Sequence, residues 1–332
     1  MEFNKLTEVP SLHQIKQAAH QIKDIALKSP LMYAPRLSES FGAKIFLKRE
    51  DLQGVRSYKI RGAYHKISNI PLELRSKGVV AASAGNHAQG VALSCAMLDI
   101  QAFIFMPKTT PLQKVEAVRF HGKEKVRIKL VGNTYDEAFT AAQRFCQENQ
   151  AIFIPPFDDF DIIAGQATVA LEIVDQLPAP ADYLLVAIGG GGLAAGAGLV
   201  LSALSPQTKL IGVEPALAPS MLESLRAHQV VSLNSIDSFV DGASVKRVGE
   251  KTFAICEPSL DRMLVVEKNV LCQTMLDLYQ FYGMIVEPAG ALSVAALEQV
   301  RSEIVGKTVV CVISGGNFDT KRLPEIKALA DN

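Results

Sequence analysis

The sequence shows no excess of either charge sign: lysine plus arginine and aspartate plus glutamate number 34 each in 332 residues. A balanced chain carries neither the basic surface that binds nucleic acid nor an acidic solvating tail, so a small, roughly neutral ligand is the expected partner. The five cysteines, Cys95, Cys146, Cys256, Cys272 and Cys311, are odd in number and widely spaced, with no C-x-x-C pair. That excludes a disulfide framework and a cysteine zinc site, and fits a reducing cytoplasm. The opening Met1-Glu2-Phe3-Asn4-Lys5 carries acid early and leads into no apolar core of signal-peptide length, so no export signal is expected. Internal repeats and low-complexity tracts are absent as well. Tyr183 to Thr208 is uncharged over a length that could span a bilayer, and it contains four successive glycines, Gly189 to Gly192. Glycine inside a helix costs about 1 kcal/mol each relative to alanine, so this stretch reads as strand, loop and helix, and no membrane span is expected.

What the sequence has is apolar material in short alternating units. Hydrophobic residues make up 48% and charged ones 20% of the chain, enough for a sizeable core, and the length suits two domains. After a helix-like start over His13 to Leu27 and an extended run Lys44 to Leu47, strand-like runs occur at Val79 to Ser83, Ala102 to Met106, Val126 to Val131 and Ala151 to Ile154. Helix-like stretches separate them at Ala88 to Leu98, Leu112 to Phe120 and Tyr135 to Asn149. Beyond Pro155-Pro156, which interrupts the pattern like a passage between domains, come a helix at Ala167 to Gln176, a strand at Tyr183 to Ile188, a helix at Leu193 to Leu204, and strands at Lys209 to Glu214 and Thr308 to Ile313. Strands alternating with helices predict an α/β protein of two open domains with mostly parallel twisted sheets and ligands at the carboxyl ends of the strands.

Three motifs lie at such places, and a lysine stands beside them. Gly189-Gly190-Gly191-Gly192-Leu193 follows an apolar strand and opens a helix, where backbone N–H groups and the helix terminus can cradle a phosphate. The same stretch fits a relaxed dinucleotide fingerprint over Gly190 to Ala195, with Glu214 as a ribose-binding acid, which keeps a nicotinamide-dependent oxidoreductase open. Ser83-Ala84-Gly85-Asn86-His87 opens another helix: its N–H groups can grip a carboxylate and the Asn86 amide can donate to a phenolic oxygen, while the plainer alternative makes Asn86 a helix cap and His87 a surface histidine. Ser314-Gly315-Gly316-Asn317 follows the last strand and offers a hydroxyl. Lys59, between Tyr58 and Ile60, is either a lysine on the wet face of a helix starting near Ser57 or one desolvated enough to attack an aldehyde. A phosphate cradle, a carboxylate cradle, an amide, a hydroxyl and such a lysine together make the inventory for pyridoxal phosphate acting on an amino acid.

Ser57-Tyr58-Lys59-Ile60-Arg61-Gly62-Ala63-Tyr64, Ser83 to Gly90, Gly165-Gln166-Ala167-Thr168, Gly189 to Leu193, Asp241-Gly242-Ala243 and Glu287-Pro288-Ala289-Gly290-Ala291 resemble, in order and over nearly the whole chain, the threonine dehydratases (threonine ammonia-lyases). The resemblance implies the tryptophan synthase β-subunit fold (fold type II of the pyridoxal-phosphate enzymes), with residues 1–76 and 155–332 as the large cofactor domain and 77–154 as the small one. It implies pyridoxal 5'-phosphate on Lys59, its phosphate on Gly189, Gly190, Gly191, Gly192 and Leu193, its 3′ oxygen at Asn86, its pyridine nitrogen at Ser314, and the substrate carboxylate among Ser83, Ala84, Gly85, Asn86 and His87. The implied reaction is elimination of threonine, and more weakly serine, to a keto acid and ammonia in a cytoplasmic homodimer or homotetramer. Related serine racemases carry a serine where this chain has Ala84, which weighs against racemisation, while a serine dehydratase stays open. A protein that binds the cofactor without catalysis is disfavoured by the retained Lys59. The stretch Pro215 to Ser220 lacks the further carboxylate that some relatives use with a divalent cation, so no metal is expected, and no C-terminal regulatory domain is expected within these residues.

Overall fold

Short runs of valine, isoleucine, leucine and alanine form the strands, and their positions in the sheets explain why so few polar residues interrupt them. The computed structural model describes residues 9–331; the Met1 to Lys5 segment lies outside the described residues. The strands are β1 Leu31–Tyr33, β2 Lys44–Arg49, β3 Val79–Ala82, β4 Ala102–Met106, β5 Val126–Leu130, β6 Ile152–Phe153, β7 Tyr183–Ala187, β8 Lys209–Pro215, β9 Arg262–Val266 and β10 Thr308–Ile313. They form a six-stranded sheet of order β1-β2-β10-β7-β8-β9 and a four-stranded sheet of order β5-β4-β3-β6. Among the described strands, β1 on β2 is the antiparallel pair and the rest pair in parallel. The fold is therefore α/β with mostly parallel sheets, as expected.

Alternate residues of β7 and β10 supply two different cores. Leu185, Val309 and Cys311 pack with Ala291 and Leu292 on one side, and Leu184, Val186, Val310 and Val312 pack with Ala167, Ala170 and Ala197 on the other. A strand covered on both faces must be apolar along its whole length, hence the unbroken hydrophobic runs.

Several elements have no visible pattern in the sequence. The helix over residues 160–176 starts seven residues before the periodic stretch at Ala167, because Asp159 caps it, Oδ1 accepting from the N–H groups of Asp161 at 2.9 Å and Ile162 at 3.2 Å. The first helix is Leu12–Ile22, closed by a capping box between Ser11 and Gln14, and ends before Leu27. Strands β1 and β9 and the helices Ser220–Ala227, Lys268–Tyr282 and Pro288–Ala295 carry no separate sequence signal.

The helix Lys59–Ser68 is held in place by two devices. It crosses the helix Phe160–Gln176 with backbone against backbone: a Cβ on Gly165 would lie 2.5 Å from the Cα of Gly62 and 2.7 Å from the Arg61 carbonyl oxygen. Beside the crossing, the fully buried Arg61 guanidinium donates to Glu50 at 2.7 and 2.8 Å and to Glu172 at 2.7 and 3.0 Å. Glu172 is shared with the equally buried Lys48, at 2.5 Å. With both partners present the charges compensate each other; removing one strands the rest in the interior.

Candidate active site

Lys59 is the first residue of its helix, and the segment before it is tied to the carboxyl end of β10: Ser57 bridges Gly315 and the Tyr58 N–H donates to the Ser314 carbonyl at 3.2 Å. The side chain is partly buried and Nζ donates to the Pro156 carbonyl at 2.8 Å, shortly after β6, with the Tyr58 ring 5.3 Å away. Burial lowers the ammonium to about 8, and Glu287 opposes the shift. The reading of Lys59 as a wet-face lysine is thereby corrected: a lysine so placed has a far larger neutral fraction near neutrality than an ordinary lysine and can act as nucleophile or base.

Ser83 to His87 joins β3 to the helix Asn86–Leu98. Gly85, not Asn86, holds the capping position, and a Cβ on it would meet nothing within 4 Å, so the loop faces open space. Ser83 Oγ accepts from the Gly85 N–H at 3.2 Å. Asn86 is not a cap: its Nδ2 donates to Glu287 Oε1 at 2.5 Å and its Oδ1 accepts from Asn317 Nδ2 at 2.7 Å. His87 is not a surface residue either; it is 4% exposed and bonded to the Ile154 carbonyl at 2.9 Å. Burial, and then the nearby Lys59, push its imidazole down to about 3, so it stays neutral.

The glycine loop ends β7 and opens the helix Gly192–Leu204. Gly191 takes the left-handed conformation at φ +95°, where a Cβ would also sit 2.9 Å from Thr252. A Cβ on Gly190 would strike the Phe157 ring at 2.1 Å. Thr252 Oγ1 pins the loop by donating to the Gly190 carbonyl at 2.6 Å. The first-turn N–H groups have no partner within their own helix, so a loop that cannot carry side chains presents donors to an anion.

Ser314 follows β10, is 4% exposed and lies with Oγ 3.2 Å from the Ala289 carbonyl, to which it donates. No helix starts directly after it as one does after β3 and β7. Glu214 lies within β8 with its carboxylate turned to the helix Ser220–Ala227, accepting from the N–H groups of Met221 at 2.7 Å and Leu222 at 3.0 Å. Occupied as a helix cap, it is not available as a ribose-binding acid, which removes the second half of the dinucleotide reading. No group of three or more metal-binding side chains occurs among the described residues.

Glu287 has no role that the sequence alone assigns. It is 4% exposed, stands before the helix Pro288–Ala295, and makes no side-chain cap there. Burial, and then the proximity of Asp241, push its carboxyl up to about 7, against the Asn86 bond. Its contact with Asn86, 201 positions away, has no local signature.

These residues fit a pyridoxal phosphate group: a cradle closed to side chains for the phosphate, an amine with lowered basicity for the aldehyde, an amide and a hydroxyl at the other strand ends. The comparisons with known proteins agree. Residues 22–315 match the family described as pyridoxal-phosphate dependent enzyme. The chain is 50% identical over 310 residues to the biosynthetic L-threonine dehydratase IlvA of Halalkalibacterium halodurans, covering 93% of this chain and 75% of that protein. It is 50% identical over 320 residues to the protein of the same name in Bacillus subtilis, covering 96% and 76%. Among solved structures, the processed form of threonine deaminase isoform 2 from Solanum lycopersicum superposes with a TM-score of 0.91 at 39% identity, covering 97% of this chain and 90% of that one.

Proposed function

Because the chain belongs to the pyridoxal-phosphate-dependent enzymes, we propose that it deaminates L-threonine to 2-oxobutanoate and ammonia, and L-serine more weakly to pyruvate. The observation that carries this reading is Lys59 itself, partly buried, lowered to about 8 and accompanied by three strand-end motifs that suit one cofactor. When bound, the cofactor supplies the electron sink that makes the Cα–H bond of an amino acid acidic.

The chain's own residues do the rest. The backbone N–H groups of Gly189 to Leu193 would hold the phosphate. Asn86 would donate to the 3′ oxygen and Ser314 would meet the pyridine nitrogen, where a hydroxyl does not enforce protonation as a carboxylate would. Ser83, Ala84, Gly85, Asn86 and His87 receive the substrate carboxylate at the start of the helix Asn86–Leu98. A neutral His87 adds no second cation there. Lys59 would hold the cofactor aldehyde and, as a free amine, would accept the Cα proton of the substrate. Loss of the β-hydroxyl as water and hydrolysis of the resulting enamine complete the balance of one keto acid and one ammonia per threonine. Ala84 offers no acid to the opposite face of Cα, which suits elimination over racemisation.

We also take residues 77–154, which contain the four-stranded sheet, as a small domain and residues 1–76 and 155–332 as the large one; the division of the strands between two sheets supports this. Among the described residues no helix is long and apolar enough to cross a membrane. A cytoplasmic homodimer or homotetramer fits, and sedimentation of the holoenzyme checks the oligomer. The test of the site is borohydride reduction of the cofactor-loaded protein followed by peptide mapping. A label on Lys59 is expected; a label on another lysine overturns the assignment.

A further inference from the structure

Three side chains, Asn86 from the start of the helix after β3, Asn317 from the segment after β10 and Glu287 just before the helix Pro288–Ala295, form one hydrogen-bonded line. Asn317 Nδ2 donates to the Val55 carbonyl at 2.9 Å and to Asn86 Oδ1 at 2.7 Å, and Asn86 Nδ2 donates to Glu287 Oε1 at 2.5 Å. The polarity of this line is imposed from its far end. The Val55 carbonyl can only accept, so Asn317 must turn its NH2 group inward, and that group presents a hydrogen to Asn86. Asn86 answers with its oxygen and is left with its nitrogen toward the carboxylate of Glu287. Reversing the Asn86 amide would set N–H against N–H at one end and oxygen against oxygen at the other.

The surrounding glycines leave room for this line. A Cβ on Gly315 would lie 2.1 Å from Glu287 Oε1 and 3.2 Å from Asn86 Nδ2, and a Cβ on Gly242 would lie 3.7 Å and 3.9 Å from the same atoms. Of the two hydrogens on Asn86 Nδ2, Glu287 takes one. The other is left for an acceptor in the cleft.

We propose that Asn317 and Glu287 are positioning residues, which fix the Asn86 carboxamide so that its remaining N–H is turned to the 3′ oxygen of the cofactor. The proposal rests on the reading of Asn86 given above. It makes Asn317 matter to the cofactor through Asn86 alone.

The test is a double-mutant cycle on cofactor binding rather than turnover. The dissociation constant of pyridoxal phosphate from the apoenzyme and the absorption maximum of the loaded protein are measured for wild type, Asn317→Asp, Asn86→Ala and the double variant. Asn317→Asp places an acceptor opposite Asn86 and reverses its amide, so cofactor binding weakens about tenfold, the worth of one hydrogen bond, and the absorption band shifts. In the Asn86→Ala background the same substitution changes the constant by less than about twofold, and the band does not shift further. Equal effects in both backgrounds, or wild-type binding in Asn317→Asp, overturn the proposal. If thermal melting shows that Asn317→Asp does not fold, Asn317→Ala is carried through the same cycle with the same two outcomes deciding. A wild-type protein without a Schiff-base band defeats the underlying reading and this inference with it; a wild-type band with additive effects defeats this inference alone.

Discussion

Gly165 and Gly62 cross with their backbones in contact, so closely that a Cβ on Gly165 would stand 2.5 Å from the Gly62 Cα. Backbone cannot give way as a side chain can, so Gly165→Ala must push the helix Lys59–Ser68, and Lys59 at its start, away from the cradle. Overpacking of this kind costs about 1–3 kcal/mol. Thermal or urea denaturation of the apoenzyme should show that loss, and cofactor affinity should fall with it. The same substitution at Gly283, where a Cβ would meet nothing within 4 Å but φ is +63°, should cost stability without touching cofactor affinity.

The buried charges beside that crossing carry a second prediction. Arg61 and Glu50 are both fully buried, and the guanidinium also serves Glu172. Arg61→Ala leaves Glu50 in the interior without its cation and should destabilise the protein by about 3–5 kcal/mol. Arg61→Met with Glu50→Gln removes both charges and should recover much of the loss in the same denaturation measurement.

Lys59 gives a pH dependence of known sign. Its amine is lowered to about 8 in the folded chain from an ordinary 10.5, chiefly by burial. Cofactor capture by the apoenzyme needs the neutral amine, so its rate should rise tenfold per pH unit below about 8 and level off above it. The same group makes folding less favourable to the proton: between 8 and 10.5 the unfolded chain binds more protons at this site, so its contribution to stability rises with pH across that window. Stopped-flow mixing of apoenzyme with pyridoxal phosphate over a pH series measures the first effect.

Glu287 has the opposite sign. Its carboxyl is raised from 4.5 to about 7 by burial and by Asp241. Between those values the folded chain holds the proton more firmly than the unfolded one, so this group's contribution to stability falls as pH rises through the window. Melting temperatures of the apoenzyme from pH 4.5 to 7 should therefore decline relative to those of Glu287→Gln, which lacks the titrating group.

Much of this site is legible in the chain. The run Gly189 to Gly192 between an apolar strand and an apolar helix announces a cradle, because both its conformation and its lack of side chains are local properties. Lys59 can be weighed only by its company, since its environment is set by Pro156 and Glu287, residues distant in sequence. Asn86 stands out in its motif, but its partners do not: Glu287 and Asn317 reach it from 201 and 231 positions away. His87 looks polar and exposed until its bond to Ile154 places it inside. Glu214 stands where a ribose-binding acid belongs, and its true role depends on the helix Ser220–Ala227, whose start the sequence does not mark. The helix over residues 160–176 reads as too short for a related reason, its cap at Asp159 lying before the periodic residues begin.

The central claim is that this chain deaminates threonine through Lys59. The direct measurement is the yield of 2-oxobutanoate and ammonia from L-threonine by the purified, cofactor-loaded protein and by Lys59→Ala. The wild type should form the two products in equal amounts, faster than it forms pyruvate from L-serine. Lys59→Ala should be slower by on the order of 10²–10⁴-fold, the scale of a lost general base. A loaded wild-type protein that yields no keto acid, or a Lys59→Ala protein that deaminates at the wild-type rate, would contradict the account.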